Sequence, residues 1–184
     1  MGTWQFDPMH TQVEFSAKHL GMMTVRGHFP ELSVTGTIDV EHPENSTIEA
    51  VIEAASIRTH NQTRDNDLRS EHFLDVQNHP QMTFKSTKIE PAGQDRFQLT
   101  GDLTIKGNTR PVTLNVVKYG EFTDPMMGHR IGYAAEGQIN RRDFGLTFEM
   151  MLDGRFVVSN EVKIFIEGEL VEVEAKEEAA AASS

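Results

Sequence analysis

With 184 residues, 38% of them hydrophobic, the chain is sized for one globular domain around a single core. It has no cysteine, which rules out disulfides, thiolate metal sites and a cysteine nucleophile. The formal charge is −11, from 17 basic and 28 acidic residues, and no basic stripe or arginine-rich patch is present, so a nucleic-acid partner is excluded.

Most of the chain alternates apolar and polar residues with a period of two, the spacing of half-buried strands. Val13, Phe15, Ala17 and His19 share one face, as do Met23, Val25, Gly27 and Phe29. Leu32, Val34, Gly36, Ile38 and Val40 follow, then Ile48, Ala50, Ile52 and Ala54. Between Asn61 and Phe73 the alternation stops in a polar island, Asn-Gln-Thr-Arg-Asp-Asn-Asp-Leu-Arg-Ser-Glu-His-Phe. It reads as a short helical segment closing one end of the strands, N-capped by Asn61 or Thr63, with Leu68, Phe73 and Leu74 facing inward. Arg64 and Arg69 lie about 140° apart on a helix and so do not form one clamp. They are expected to pair locally with Asp65, Asp67, Glu71 or Asp75 and fix the segment, or to meet a ligand head group. Alternation resumes with Met82, Phe84 and Ser86, then Phe97, Leu99, Gly101, Leu103 and Ile105, then Val112, Leu114 and Val116. Ile131, Tyr133, Ala135, Gly137 and Ile139 make a further strand, Phe144, Leu146, Phe148 and Met150 another, and Val162, Ile164, Ile166 and Gly168 the last.

Turn residues divide these runs at His42-Pro43-Glu44-Asn45, Pro91-Ala92-Gly93, Lys106-Gly107-Asn108, Asp124-Pro125 and Asp153-Gly154. About eight strands, joined mostly as hairpins, predict an all-β fold: a closed up-and-down antiparallel barrel. The barrel domain is expected over residues 1–172. The stretch 173–184, acidic and then alanine-rich, is expected to be disordered. No window approaches the ~18 apolar residues of a membrane span, and Met1 to His10 lacks the form of a secretory signal. As written the chain reads as cytoplasmic. A removed signal replaced by Met1-Gly2 would read the same way, which keeps a periplasmic or secreted location open.

The inner face is large, apolar and almost free of ionisable groups, so the barrel is either plugged by its own side chains or hollow around one small ligand. Small residues at Ala17, Gly36, Ala50, Ala54, Ala135 and Gly137 take volume away from a plug. The ligand-binding candidates are Phe15, Ala17, His19, Met23, Val25, Phe29, Leu32, Val34, Ile38, Ile48, Ile52, Leu68, Phe73, Phe84, Leu103, Ile105, Leu114, Ile131, Tyr133, Phe144, Leu146, Phe148, Ile164 and Ile166. His19, Tyr133 and Ser86 are the polar groups available to a head group. Three methionine doublets, Met22-Met23, Met126-Met127 and Met150-Met151, would support a ligand site if they gathered at one mouth. Core filling is the alternative.

Catalytic patterns are missing. Eight histidines occupy separate segments without metal-ligand spacing, and no nucleophile elbow, P-loop or dinucleotide fingerprint occurs. Asp65 and Asp67 are paired carboxylates in the polar island, where they suit a helix N-terminus better than acid–base work. No catalytic residue, metal ligand or required cofactor is assigned.

Several ordered motifs carry a family resemblance. They are Trp4-x-x-Asp7-Pro8-x-His10-Thr11-x-Val13-x-Phe15, Lys18-His19-Leu20-Gly21, Val25-x-Gly27-x-Phe29 and Arg64-Asp65-x-x-Leu68-Arg69-Ser70-x-x-Phe73. Pro80-x-x-x-Phe84-x-Ser86-Thr87 and Gly101-Asp102-Leu103-Thr104-Ile105-x-Gly107-x-Thr109-x-Pro111-Val112 complete the set. Together, from about Thr3 to Leu170, they resemble the YceI-like family. The resemblance implies an extended, lipocalin-like antiparallel β-barrel with a short helical segment, whose long cavity binds an amphiphile with a polyisoprenoid or similar tail. Phe73-Leu74 stands where many relatives have paired aromatics, and many relatives are exported.

The expected function is therefore non-enzymatic: carriage, storage or sequestration of an isoprenoid, quinone-like lipid, with a homodimer also compatible. Two other classes stay open. One is an enzyme acting on a small hydrophobic or oxidised substrate through dispersed histidines or the Arg64, Asp65 pair, which needs a polar cluster inside. The other is a stress-related protein with a plugged barrel, which needs no cavity.

Overall fold

The computed structural model describes residues 3–173, and the expected disordered stretch 173–184 lies, Val173 apart, outside the described residues. Nine strands form one antiparallel sheet: β1 (Thr3–His19), β2 (Met23–His28), β3 (Leu32–Thr37), β4 (Thr47–Glu53), β5 (Gln81–Pro91), β6 (Arg96–Ile105), β7 (Asn108–Asp124), β8 (Gly128–Asn140) and β11 (Val158–Val173). A small hairpin, β9 (Met151–Leu152) with β10 (Arg155–Phe156), interrupts the connection from β8 to β11. The sheet order is β2-β1-β11-β8-β7-β6-β5-β4-β3, so the first long strand pairs with the last.

That order explains how the barrel shuts. In an all-antiparallel sheet of nine strands the two edge strands point the same way, and here only residues 29–31 separate them in sequence. β2 bonds to β1 and β3 bonds to β4. The two behave as one bent strand bridging β1 and β4, which gives eight strand positions around the barrel. The seam is held by local bonds and not by a β2–β3 ladder: Phe29 N–H donates to Val13 O at 3.1 Å, and His28 pairs with Arg58. The bend also moves the inward parity from odd residues (Gly27, Phe29) to even ones (Leu32, Val34). Uniform closure, as expected from the alternation, is thus replaced by a kinked seam.

At two inner glycines an aromatic ring from the neighbouring strand packs against bare backbone. A side chain on Gly27 would overlap the Phe15 ring and sit 2.9 Å from Arg58 O; one on Gly101 would overlap the Phe84 ring and sit 2.6 Å from Lys85 O. Bare backbone at these positions lets the rings lie flat on the neighbouring strand.

The polar island lies at the end of the barrel where β4 finishes. Helix α1 (Gln62–Arg69) is N-capped by Asn61, whose side chain accepts from Arg64 N–H at 2.9 Å. Its arginines take backbone carbonyls in place of the expected carboxylates. Arg64 donates to Thr59 O and Oγ1, both at 2.7 Å. Arg69 donates to Ala55 O at 2.8 Å and Ile57 O at 2.7 Å. Asp65 is buried and accepts from Thr59 N–H and Oγ1–H at 2.9 and 2.6 Å. These bonds strap the helix to the segment that leaves β4.

Two strand expectations fail. β3 ends at Thr37, so Ile38 and Val40 lie in the connection to β4. Arg141–Phe144 is a 3₁₀ turn ended by Gly145 at φ +74°, and residues 145–150 form no ladder. Their carbonyls are held by a side chain: Arg141 Nη1 donates to Leu146 O at 2.5 Å and Phe148 O at 2.8 Å.

Candidate functional site

The inward faces enclose a cavity of about 350 Å³, within the range of about 300–1,000 Å³ typical of small-molecule sites. Eighteen of the candidates line it: Phe15, Ala17, Phe29, Leu32, Val34, Ile38, Ile48, Ile52, Leu68, Phe73, Phe84, Leu103, Ile105, Leu114, Tyr133, Leu146, Ile164 and Ile166. Many inward side chains, among them Val13, Phe15, Val34, Ile48, Phe84, Val116 and Ile164, are only half-buried. A plugged barrel would bury them fully. They face space instead, which contradicts the plugged expectation.

The cavity has distinct ends. Leu68, Phe73 and Leu74 close the end covered by the polar island, while Phe6, Ile38, Asp39, Pro43 and Ser46 surround the opposite end, at the β3–β4 connection. Next to the island, Phe148 packs edge-on to Phe73 at 5.4 Å and stacks on His72 at 4.8 Å.

Six candidates lie elsewhere. His19 and Met23 are exposed where β1 turns into β2, beyond the cavity, and Val25 stands on the same projecting hairpin. Ile131 is fully buried, but in a separate cluster with Trp4 and Leu170. Phe144 is buried in the 3₁₀ turn as core, and Phe148 caps Phe73 from outside the lining. Alternation identifies a face of a strand but not how far along it the cavity reaches. That limit accounts for His19, Met23, Val25 and Ile131; Phe144 and Phe148 lie elsewhere because their segment is not a strand.

The methionine doublets do not gather. Met22-Met23 and Met150-Met151 lie at the island end and Met126-Met127 at the β7–β8 turn, all exposed and none in the lining. Among the described methionines only Met82 reaches the cavity. This removes the doublets as support for a ligand site.

The lining is polar at few points. No histidine contributes; Glu14, Asp39, Tyr133 and Arg141 are its ionisable members, with Thr11 and Ser46 as hydroxyls. Tyr133 is held above its usual phenol range by burial. Ser86 spends its hydroxyl oxygen accepting from Ile48 N–H at 2.8 Å and does not line the cavity. The polar members are spread between the two ends, so no acid–base pair is assembled. Arg64 and Asp65 are turned to Thr59.

Asp7, His10 and Glu169 come together outside the cavity, but as an ion-pair network. Arg130 Nη1 donates to Asp7 Oδ2 at 2.7 Å and Glu169 Oε2 at 2.8 Å, and His10 Nδ1 lies 2.8 Å from Asp7 Oδ2. His10 and Arg130 hold the Asp7 carboxyl well below the usual range.

Several lining residues escaped the sequence reading. Phe6 belongs to a stretch without clear alternation, and Ile57 reaches inward from an irregular segment, whereas Leu74 faces inward as expected. Arg141 was legible in principle, since the inward parity of Tyr133, Ala135 and Ile139 continues to it. Its setting in Asn140-Arg141-Arg142-Asp143 looks like an exposed charged turn.

The sequence and the fold find counterparts among known proteins. The model of the YceI-like domain matches residues 4–170. The chain belongs to the YceI-like family. A UPF0312 protein of Pectobacterium carotovorum is 37% identical over 149 residues, covering 80% of this chain and 77% of that protein. The crystal structure of the Campylobacter jejuni YCEI protein superposes with a TM-score of 0.74 at 31% identity, covering 85% of this chain and 90% of that one. A polyisoprenoid-binding domain from Saccharophagus degradans implicated in plant cell wall breakdown shares the fold alone, with a TM-score of 0.65 at 15% identity over 94% of this chain and all of that one. As a YceI-like protein the chain has the lipocalin-like barrel of its family, and among its described residues no helix is long and apolar enough to cross a membrane.

Proposed function

We propose that this YceI-like protein binds an amphiphilic lipid with a polyisoprenoid tail, such as an isoprenoid quinone, inside the barrel, and carries, stores or sequesters it without chemical change. The observation that carries this reading is the continuous apolar cavity between the island end and the β3–β4 end. A long branched hydrocarbon is the ligand such walls suit, because burial of each CH₂ contributes about 0.8 kcal/mol. The polyisoprenoid-binding domain of the same fold supports the choice of tail. The scattered polar groups of the lining support a carrier over an enzyme.

Affinity should then follow tail length. Each added CH₂ is worth about fourfold in Kd until the cavity is full. Competition of geraniol, farnesol and geranylgeraniol against a fluorescent apolar probe measures this. Rising affinity along the series is expected; equal affinities, or no displacement by any of the three, would defeat the proposal.

A further inference from the structure

Arg141 stands at the island end of the cavity with 3% of its surface exposed, and it has no carboxylate within ion-pairing distance among the described residues. Its bonds can be counted. Nε donates to Ser159 O at 3.1 Å, and the two hydrogens of Nη1 go to Leu146 O and Phe148 O. Nη2 is left with two N–H donors and no partner among the described residues, on a side chain that lines the cavity. A guanidinium stays charged in proteins, and a buried charge is costly unless paired. Burial pulls its pKa below the ordinary arginine value, and the neighbouring charge it feels is another cation, Arg142. Three carbonyls solvate the cation without neutralising it.

The far end of the cavity has the opposite character. Asp39 lines it, its Oδ1 occupied by the N–H groups of Glu41 and His42 at 3.1 and 2.8 Å. The cavity thus has a cation at one end and a carboxylate at the other, and the walls between are apolar apart from Thr11, Tyr133 and the exposed Glu14 on β1. We propose that Arg141 is the head-group receptor and that the lipid carries an anionic oxygen-rich head, a phosphate or a carboxylate, lodged under the polar island with the tail running toward Asp39. The two free Nη2–H donors can each bond an oxygen of such a head, and the oxyanion would supply the missing counter-charge. An anionic head at the Asp39 end would instead meet like charge. This inference rests on the cavity being a site for an isoprenoid-tailed lipid, as proposed above; it replaces the neutral quinone head named there with an anionic one and adds the direction of the ligand.

The test compares heads on one tail. Farnesyl phosphate, farnesoic acid and farnesol are titrated against the full chain by probe displacement. The phosphate is expected to bind at least ten-fold more tightly than the alcohol, with the carboxylate also ahead of it. Equal or tighter binding of the alcohol overturns the head-group assignment while leaving the lipid cavity standing. Failure of all three overturns both. Arg141→Gln removes the charge and should bring the phosphate-to-alcohol ratio near one, whereas Arg141→Lys should keep part of it. A folded Arg141→Gln protein that keeps the full ratio contradicts the role given to Arg141. Since Arg141 also ties down residues 146–148, the comparison of heads on the unaltered chain decides the question even if that variant does not fold.

Discussion

Arg69 and Arg141 show how this chain uses arginine at residue scale: both donate to backbone carbonyls of segments that have no ladder of their own, Arg69 to Ala55 and Ile57 and Arg141 to Leu146 and Phe148, with a further bond from Arg141 to Ser159 at the start of β11. Arg69 ties α1 to Ala55 and Ile57, so Arg69→Ala leaves two carbonyls without that donor. Charge-assisted hydrogen bonds contribute about 1.5–3 kcal/mol, and urea unfolding should show a loss of about 2 kcal/mol while the bound lipid stays the same. A variant of unchanged stability that holds a different lipid would show that Arg69 acts on the ligand. On the outer surface, Glu172 and Glu121 approach His129 at 2.9 and 2.5 Å and hold its pKa above the ordinary 6.5. A raised pKa means that the stabilisation is complete below about 6.5 and fades as pH rises through the folded value. His129→Gln should therefore cost up to about 1 kcal/mol in mildly acidic buffer and less in alkaline buffer. A cost that does not change with pH would leave only the edge contact between His129 and Trp4 to account for it.

Among the elements, strands were legible and the pieces joining them were not. A period of two fixes which side of β4, β6, β7 and β11 faces inward, and Ile48, Leu103, Leu114 and Ile164 line the cavity as their parity requires. The β2–β3 kink depends on a bond between residues distant in sequence, His28 with Arg58, while the 3₁₀ turn at Arg141–Phe144 and the end of β3 are held by irregular local bonds, and none of them leaves a periodic trace. The helix announced itself because Asn61 to Phe73 is polar and capped. What it touches was not readable, and its arginines found carbonyls where carboxylates were expected. The inner glycines were visible too, but their purpose required the rings above them. Gly101→Ala places a methyl against Phe84 and the Lys85 carbonyl, and overpacking of this kind costs about 1–3 kcal/mol. Thermal unfolding of this variant at the wild-type midpoint would contradict the tight approach described between β5 and β6.

At the scale of the whole molecule, a bent edge strand and a strapped polar island close a barrel whose inner side chains do not fill it. The half-buried Phe15, Val34, Ile48 and Ile164 expose apolar surface to the hollow, and a ligand that covers it gains about 25 cal/mol per Å². Such a ligand should survive gentle purification. It also links the pieces, since binding to the folded barrel alone raises its apparent stability by mass action. Native mass spectrometry of freshly purified protein, followed by organic extraction, is the most direct measurement. The expected result is a bound species spaced by isoprene units that is lost on extraction, with a fall in unfolding temperature that returns on adding the extract. Protein that is empty in every preparation, and that takes up no isoprenoid lipid when offered one, would contradict the account.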